Sequence, residues 1–155
     1  SKPDHLFCAL GSTKKRTPNK NDYYKIDVEY PLAFARLGLK HGARFYGFVS
    51  AHGASGKTPS FYLTMKTHTE EGLRKLKYPH LSLARPALLK GDRKEFRPVE
   101  PAGSVLCDFL PGNFKAIDSQ DVAAALIRAA AKSPQETPFT EVLESKTMQN
   151  AFLGK

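Results

Sequence analysis

Tyr62 and Lys66 stand four residues apart, and Ser50 lies twelve residues before the tyrosine. On a helix, residues at i and i+4 are neighbours on one face. A phenol has a pKa near ~10, too high for a base at neutral pH. An ammonium within about 4–6 Å favours the phenolate and lowers that value. A serine hydroxyl facing the pair can orient a carbonyl or an alcohol by hydrogen bonding. Ser50, Tyr62 and Lys66 could thus move a proton during a hydride step. The hydride must come from a cofactor, because no side chain delivers one. The bare pair says little: with six tyrosines and 16 lysines, chance supplies one Tyr-x-x-x-Lys in about every second such chain. The competing reading is a surface tyrosine beside a solvated lysine, so context has to decide.

The context is a helix and the strands around it. Pro59-Ser60 is a good helix start, and Tyr62, Lys66, Thr69, Leu73 and Leu76 form one stripe after it. Lys66 therefore points inward, which is costly unless a partner or ligand compensates it. Ser50 closes the apolar run Arg44–Ser50. His5–Leu10 and Leu81–Arg85 are similar runs, and Phe139–Leu143 reads as a fourth strand. Short runs that are apolar throughout fit strands covered on both faces. Between them lie further helical patterns. Asp27 can cap a helix carrying Val28, Leu32, Ala35 and Leu39, with Pro31 near its first turn and Gly42 at its end. Asp121–Lys132 is Ala-rich and helical, and Lys146–Leu153 predicts a terminal helix. Strands alternating with helices imply a doubly wound parallel α/β sheet, read here as one domain over residues 1–155. In such sheets ligands bind beyond the carboxyl ends of strands, so the loops after Leu10, Ser50 and Arg85 carry the interest.

Composition narrows the classes. The chain has 155 residues, 41% hydrophobic and 25% charged, which excludes disorder, collagen-like repeats and a disulfide framework. No apolar run approaches the ~20 residues of a membrane span. Cys8 and Cys107 each lie in an apolar run and read as buried thiols of a reducing compartment. Ser1-Lys2-Pro3-Asp4 lacks a positive-then-apolar signal pattern, and a cytoplasmic protein is the expectation. No His/Cys cluster has metal-ligand spacing, so no metal is expected. The net charge of +9 suggests an anionic partner. It does not separate nucleic acid from a phosphate-bearing small molecule. Lys14–Lys20 is the densest basic stretch and reads as a solvated loop; nucleic-acid binding through it would rest on charge alone, and it is not the expected partner.

Four segments carry a family resemblance. Cys8-Ala9-Leu10-Gly11-Ser12-Thr13, Phe48–Ala54, Phe61–Lys66 and Leu83–Arg93 resemble, in order, the atypical short-chain dehydrogenase/reductases, in the branch of the Tat-interacting-protein-like oxidoreductases. The resemblance runs from about Asp4 to the last helix. It implies the C-terminal part of a Rossmann NAD(P)-binding fold, equivalent to its strands 4–7, with NADP(H) as cofactor and NAD not excluded. Ser50, Tyr62 and Lys66 would be the catalytic group, and Lys66 would also bond the nicotinamide ribose. Ala9, Leu10, Gly11 and Ser12 would line the adenosine and ribose. Val49 would lie under the nicotinamide, and Pro86, Leu88 and Leu89 would wall its pocket. Arg93 would sit near the substrate mouth.

The resemblance starts at the fourth strand. A dinucleotide fold needs a glycine-rich turn after its first strand, and the sequence contains no G-x-G-x-x-G. Gly53-Ala54-Ser55-Gly56-Lys57-Thr58 lacks the first glycine of a P-loop and follows the wrong strand. The first strand would pair with the fourth, so His5–Leu10 is expected to be an exposed apolar edge. Either the chain is part of a longer protein, the favoured reading, or it is a half-Rossmann module that pairs with something else. Two functions follow. One is an NADP(H)-dependent oxidoreductase acting on a carbonyl or alcohol. The other is a catalytically weak dinucleotide-binding module with a protein partner, since fold alone does not imply activity.

Overall fold

The computed structural model describes residues 4–54, 56, 59–87, 89–90, 116–132 and 138–154. Its main sheet has four parallel strands: β1 (His5–Cys8), β2 (Phe45–Val49), β3 (His80–Arg85) and β6 (Phe139–Glu144), in the order β1-β2-β3-β6. The register pairs Phe7 with Gly47, Val49 with Ala84, and Ala84 with Leu143. All four apolar runs are thus strands, within a residue or two of the expected bounds. A second, two-stranded sheet pairs β4 (Leu89–Lys90) with β5 (Ile117–Asp118), which the sequence pattern did not suggest.

Side chains alternate across the strands and build two cores. Tyr46, Phe48, Leu81 and Leu83 pack on one face with Ala35 of α2 (Tyr30–Lys40) and Leu73 of α3 (Phe61–Lys75). Phe45, Ala84 and Leu143 pack on the other with Val122, Ala125, Leu126 and Ala129 of α4 (Ser119–Ala130). The sheet is therefore covered on both faces, a Rossmann-like α/β arrangement. Gly47 lets α4 approach, since a Cβ there would come within 3.2 Å of Leu126. Two buried phenols tie α2 to the sheet side. Tyr46 donates to the Pro31 carbonyl at 2.9 Å and Tyr78 to that of Ala35 at 2.5 Å. Burial pushes the Tyr78 pKa up to about 12 and raises that of Tyr46 further still. Among the described residues β1 pairs only with β2, and Phe7 on it is 45% exposed.

Three expectations need correction. Asp27 is not a cap. The helix begins earlier, with α1 (Lys20–Tyr24) capped by Asn19, whose side chain accepts from the backbone amides of Asn21 and Asp22. A π-helical turn, Lys25–Glu29, then joins α1 to α2. Across this turn and α2 the buried residues are Asp27, Val28, Pro31, Ala35 and Gly38, with Leu32 and Leu39 partly buried against the core, so the expected stripe does face inward and Asp27 joins it. The Lys14–Lys20 loop is exposed through Asn19 except at the half-buried Thr17, but Lys20 already belongs to α1. The terminal helix α5 covers only Ser145–Met148, and its backbone then turns extended at Gln149. Ser60 does cap α3, and Gly42, in the left-handed region at φ +88°, follows the end of α2. Cys8 is buried and free, whereas Cys107 lies outside the described residues. Among the described residues no helix is long and apolar enough to cross a membrane.

Candidate active site

The site lies where the carboxyl ends of β1 and β2 meet the first turns of α3. Ser60 caps α3 by accepting from the Leu63 amide, and the stripe behind it faces the sheet as the spacing requires. Lys66, Thr69 and Leu73 are buried, with Lys66 only 3% exposed. Its Nζ donates to the carbonyl oxygens of Leu10 and Val49, both at 3.4 Å. Those two carbonyls stand just beyond β1 and at the last residue of β2. The ammonium also lies 4.9 Å from the centre of the Phe48 ring and 5.9 Å from that of Tyr62. Tyr62 is half-buried beside Met65 and Leu32.

A buried ammonium needs a counter-charge, and the structure supplies one that sequence reasoning missed. Asp27, fully buried in the π-turn, places Oδ1 3.7 Å from Lys66 Nζ. Its Oδ2 accepts from the Ser12 amide at 2.8 Å. The π-turn itself is pinned to α3, where the Thr69 hydroxyl donates to the Asp27 carbonyl at 2.7 Å. Gly11 runs tight against the ion pair. A Cβ there would stand 3.1 Å from Asp27 Oδ1 and 3.2 Å from Lys66 Nζ. The signal for Asp27 was present as Asp27, Pro31, Ala35 and Gly38 at steps of four, four and three. The capping reading concealed it.

The remaining candidates are distributed around this centre. Ala9 and Leu10 are exposed, and Gly11 and Ser12 half-buried. The Ser12 carbonyl accepts from the Tyr23 hydroxyl at 3.0 Å, and its own hydroxyl pairs with that of Thr17 at 2.6 Å. These contacts fix the loop after β1. Pro86 is buried, and its carbonyl accepts from the His52 amide at 2.9 Å. The next amide, of Ala87, donates to the Ser145 hydroxyl at 2.8 Å. Leu89 is 40% exposed in the small sheet. Leu88 and Arg93 lie outside the described residues.

Ser50 is buried at the end of β2, and its hydroxyl donates to Glu70 Oε1 at 2.6 Å. Glu70, one helical turn after Lys66, is also gripped by Arg85. The guanidinium donates through Nε at 2.9 Å to Oε1 and through an Nη at 2.6 Å to Oε2. This fork raises the Arg85 pKa, against the opposing effect of burial. Glu144 at the end of β6 faces Arg85 at 3.6 Å and His52 at 3.2 Å. Glu70 and Arg85 carried no chemistry in the sequence reading. Glu70 extends the Tyr62, Lys66 spacing by four more, which is the signal that could have found it. A groove lined by Glu71, Arg74, Lys75 and Lys77 lies at the other end of α3, and its Arg74 faces Glu70 at 3.9 Å.

No protein-family model matches the chain. It is 33% identical over 94 residues to the protein HTATIP2 of Rattus norvegicus, covering 61% of this chain and 38% of that protein. It is also 33% identical over 98 residues to the mitochondrial protein fmp52 of Emericella nidulans, covering 63% and 42%. With the mitochondrial FMP52 of Candida albicans the identity is 28% over 138 residues, covering 83% and 59%. The chain thus spans less than two thirds of each of these curated relatives. Among solved structures it superposes on RMD of Pseudomonas aeruginosa complexed with NADPH, with a TM-score of 0.66 and 16% identity over 94% of this chain and 62% of that one. It superposes on WbmG of Bordetella bronchiseptica in complex with NAD, with a TM-score of 0.64 and 14% identity over 92% and 51%. These two likenesses show the fold. The homologues of the chain are HTATIP2 and the Fmp52 proteins, in agreement with the resemblance to the atypical short-chain dehydrogenase/reductases. The cytoplasmic expectation is overturned by the same relatives, since the Fmp52 proteins are named mitochondrial. Two thiols speak to a redox state and not to an organelle, so the inference had no physical purchase on compartment.

Proposed function

We propose that the polypeptide carrying this chain is an NADP(H)-dependent oxidoreductase of short-chain dehydrogenase type, acting on a carbonyl or alcohol. The observation that carries the reading is the buried Lys66 ammonium at the carboxyl ends of β1 and β2, the crevice in which doubly wound sheets bind their ligands. An ammonium set among strand-end carbonyls suits ribose hydroxyls. The half-buried phenol of Tyr62 stands beside it. The homology to HTATIP2 and Fmp52 supports the same class.

On this reading Lys66 holds the nicotinamide ribose, and the loop from Ala9 to Ser12 lines the nucleotide. A bound nicotinamide dinucleotide supplies or accepts the hydride. Tyr62 gives a proton to the carbonyl oxygen in reduction and takes it back from the alcohol in oxidation. Lys66 favours the phenolate that remains after the proton leaves. Asp27 offsets the ammonium's burial. Val49 would lie under the nicotinamide, Pro86, Leu88 and Leu89 would wall its pocket, and Arg93 would sit near the substrate mouth.

The test is NADPH oxidation by the intact polypeptide against a panel of aldehydes and ketones. Turnover is expected for the wild type. Tyr62→Phe should lower kcat by about 10²–10⁴ while dinucleotide affinity stays within about threefold. An unchanged rate in that variant removes Tyr62 from the chemistry. Tight NADPH binding with no turnover of any panel member favours the regulatory module instead.

A further inference from the structure

Ser50 has one hydroxyl proton, and the structure spends it on Glu70. The 2.6 Å contact is a short, charge-assisted bond within the buried interior. An ionised carboxylate only accepts, and Arg85 fixes this one with two donors, one on each oxygen. The direction of the Ser50 bond is therefore set. Its oxygen is left with lone pairs that can only accept a hydrogen bond.

We infer that Glu70, clamped by Arg85, is the positioning residue that orients the Ser50 hydroxyl and makes it a hydrogen-bond acceptor toward the reacting groups. The inference rests on the oxidoreductase reading for its kinetic consequence, though not for its geometry. The clamp is built from four elements. Ser50 follows β2, Glu70 is on α3, Arg85 ends β3, and Glu144 ends β6 and faces Arg85 at 3.6 Å. His52, 3.2 Å from Glu144, closes the array from the loop after β2. A change in any one of these strand ends reaches Ser50 through two or three contacts.

Glu70→Gln is the informative variant. An amide can donate to Ser50 and so reverse the bond without emptying the space. In the intact polypeptide, with NADPH and the aldehyde and ketone panel, E70Q is expected to lower kcat about tenfold or more. The dinucleotide KM should stay within about threefold, and S50A should give a similar loss. The double variant S50A/E70Q should be no slower than S50A alone, because both act through one hydroxyl. Additive losses, or an E70Q kcat equal to wild type per folded molecule, would overturn the positioning role.

A second variant keeps the idea testable where E70Q does not fold. E70A/R85Q removes both buried charges together, leaving no lone ion. A crystal structure of that variant should show the Ser50 side chain out of its present rotamer. Retention of the rotamer would show that Glu70 does not hold it. Should the wild type turn over no carbonyl, the oxidoreductase reading fails, while the rotamer still decides whether Glu70 positions Ser50.

Discussion

Strands β3 and β6 carry a buried polar cluster at each end, and the two are built differently. At the amino ends, Glu141 accepts from His80 at 2.7 Å and from Ser82 at 2.6 Å, and Lys132 reaches it at 2.7 Å. The rings of Phe45 and Phe139 pack against His80. Burial works against ionisation of Glu141, but the hydrogen bonds from Lys132, Ser82 and His80 outweigh it and hold the carboxyl below its usual range. At the carboxyl ends Arg85 is forked onto Glu70 just as tightly. Lys66 beside them is held at 3.4–3.7 Å by two carbonyls and Asp27. Short bonds on every side fix a structure. An ammonium whose bonds to the strand-end carbonyls run to 3.4 Å suits a group that must also meet a ligand. The comparison teaches that buried charge is not by itself a mark of function, and that place in the fold separates the two ends: Lys66 stands at the carboxyl ends of β1 and β2, where doubly wound sheets bind their ligands.

The largest expected effect tests the loose end. Asp27→Ala leaves the Lys66 ammonium buried without its carboxylate and should cost about 3–5 kcal/mol of stability by chemical denaturation. Adding Lys66→Met should restore most of that loss. A fully stable D27A would mean that Asp27 is not the balancing charge.

Glu141→Gln comes next and probes the tight end. A loss of about 1–3 kcal/mol is expected, with kcat and dinucleotide affinity per folded molecule unchanged. The pH dependence has a definite sign. A carboxyl depressed in the folded state stabilises at pH values above its unfolded pKa of 4.5 and loses that contribution as pH falls toward the folded value. Wild type should therefore lose more stability than E141Q on acidification below that point. A change in turnover in E141Q would erase the contrast between the two ends.

Gly11→Ala should have a smaller effect, about 1 kcal/mol by thermal unfolding, because the new methyl crowds the Asp27–Lys66 pair. Its effect on dinucleotide affinity should exceed that of E141Q. Equal affinities in the two variants would show that the Gly11 loop lies away from the ligand.

Much of the frame was legible because each strand of the main sheet declared itself as an apolar run and α3 as a capped stripe. The inward lysine followed from Tyr62, Thr69, Leu73 and Leu76 alone. Its partner did not, although Asp27 stands at helical spacing from Pro31, Ala35 and Gly38, since the helix begins earlier, at Lys20, than the apolar stripe suggests. Asp27 near an apparent helix start therefore read as a cap. The Ser50–Glu70–Arg85 array is assembled from residues up to 35 positions apart in sequence. Only the sheet register, which aligns Val49 with Ala84 and Arg85 with Glu144, brings these ends together. The short helix α5 was overextended because Phe152 and Leu153 continue the apolar pattern, yet both are exposed.

The most direct measurement is a crystal structure of the intact polypeptide with bound NADPH. The account predicts a nicotinamide ribose hydroxyl within about 3 Å of Lys66 Nζ, with the Tyr62 phenol turned toward the nicotinamide. A dinucleotide seated away from the ends of β1 and β2, with Lys66 bonded only to Asp27 and the two carbonyls, would contradict it.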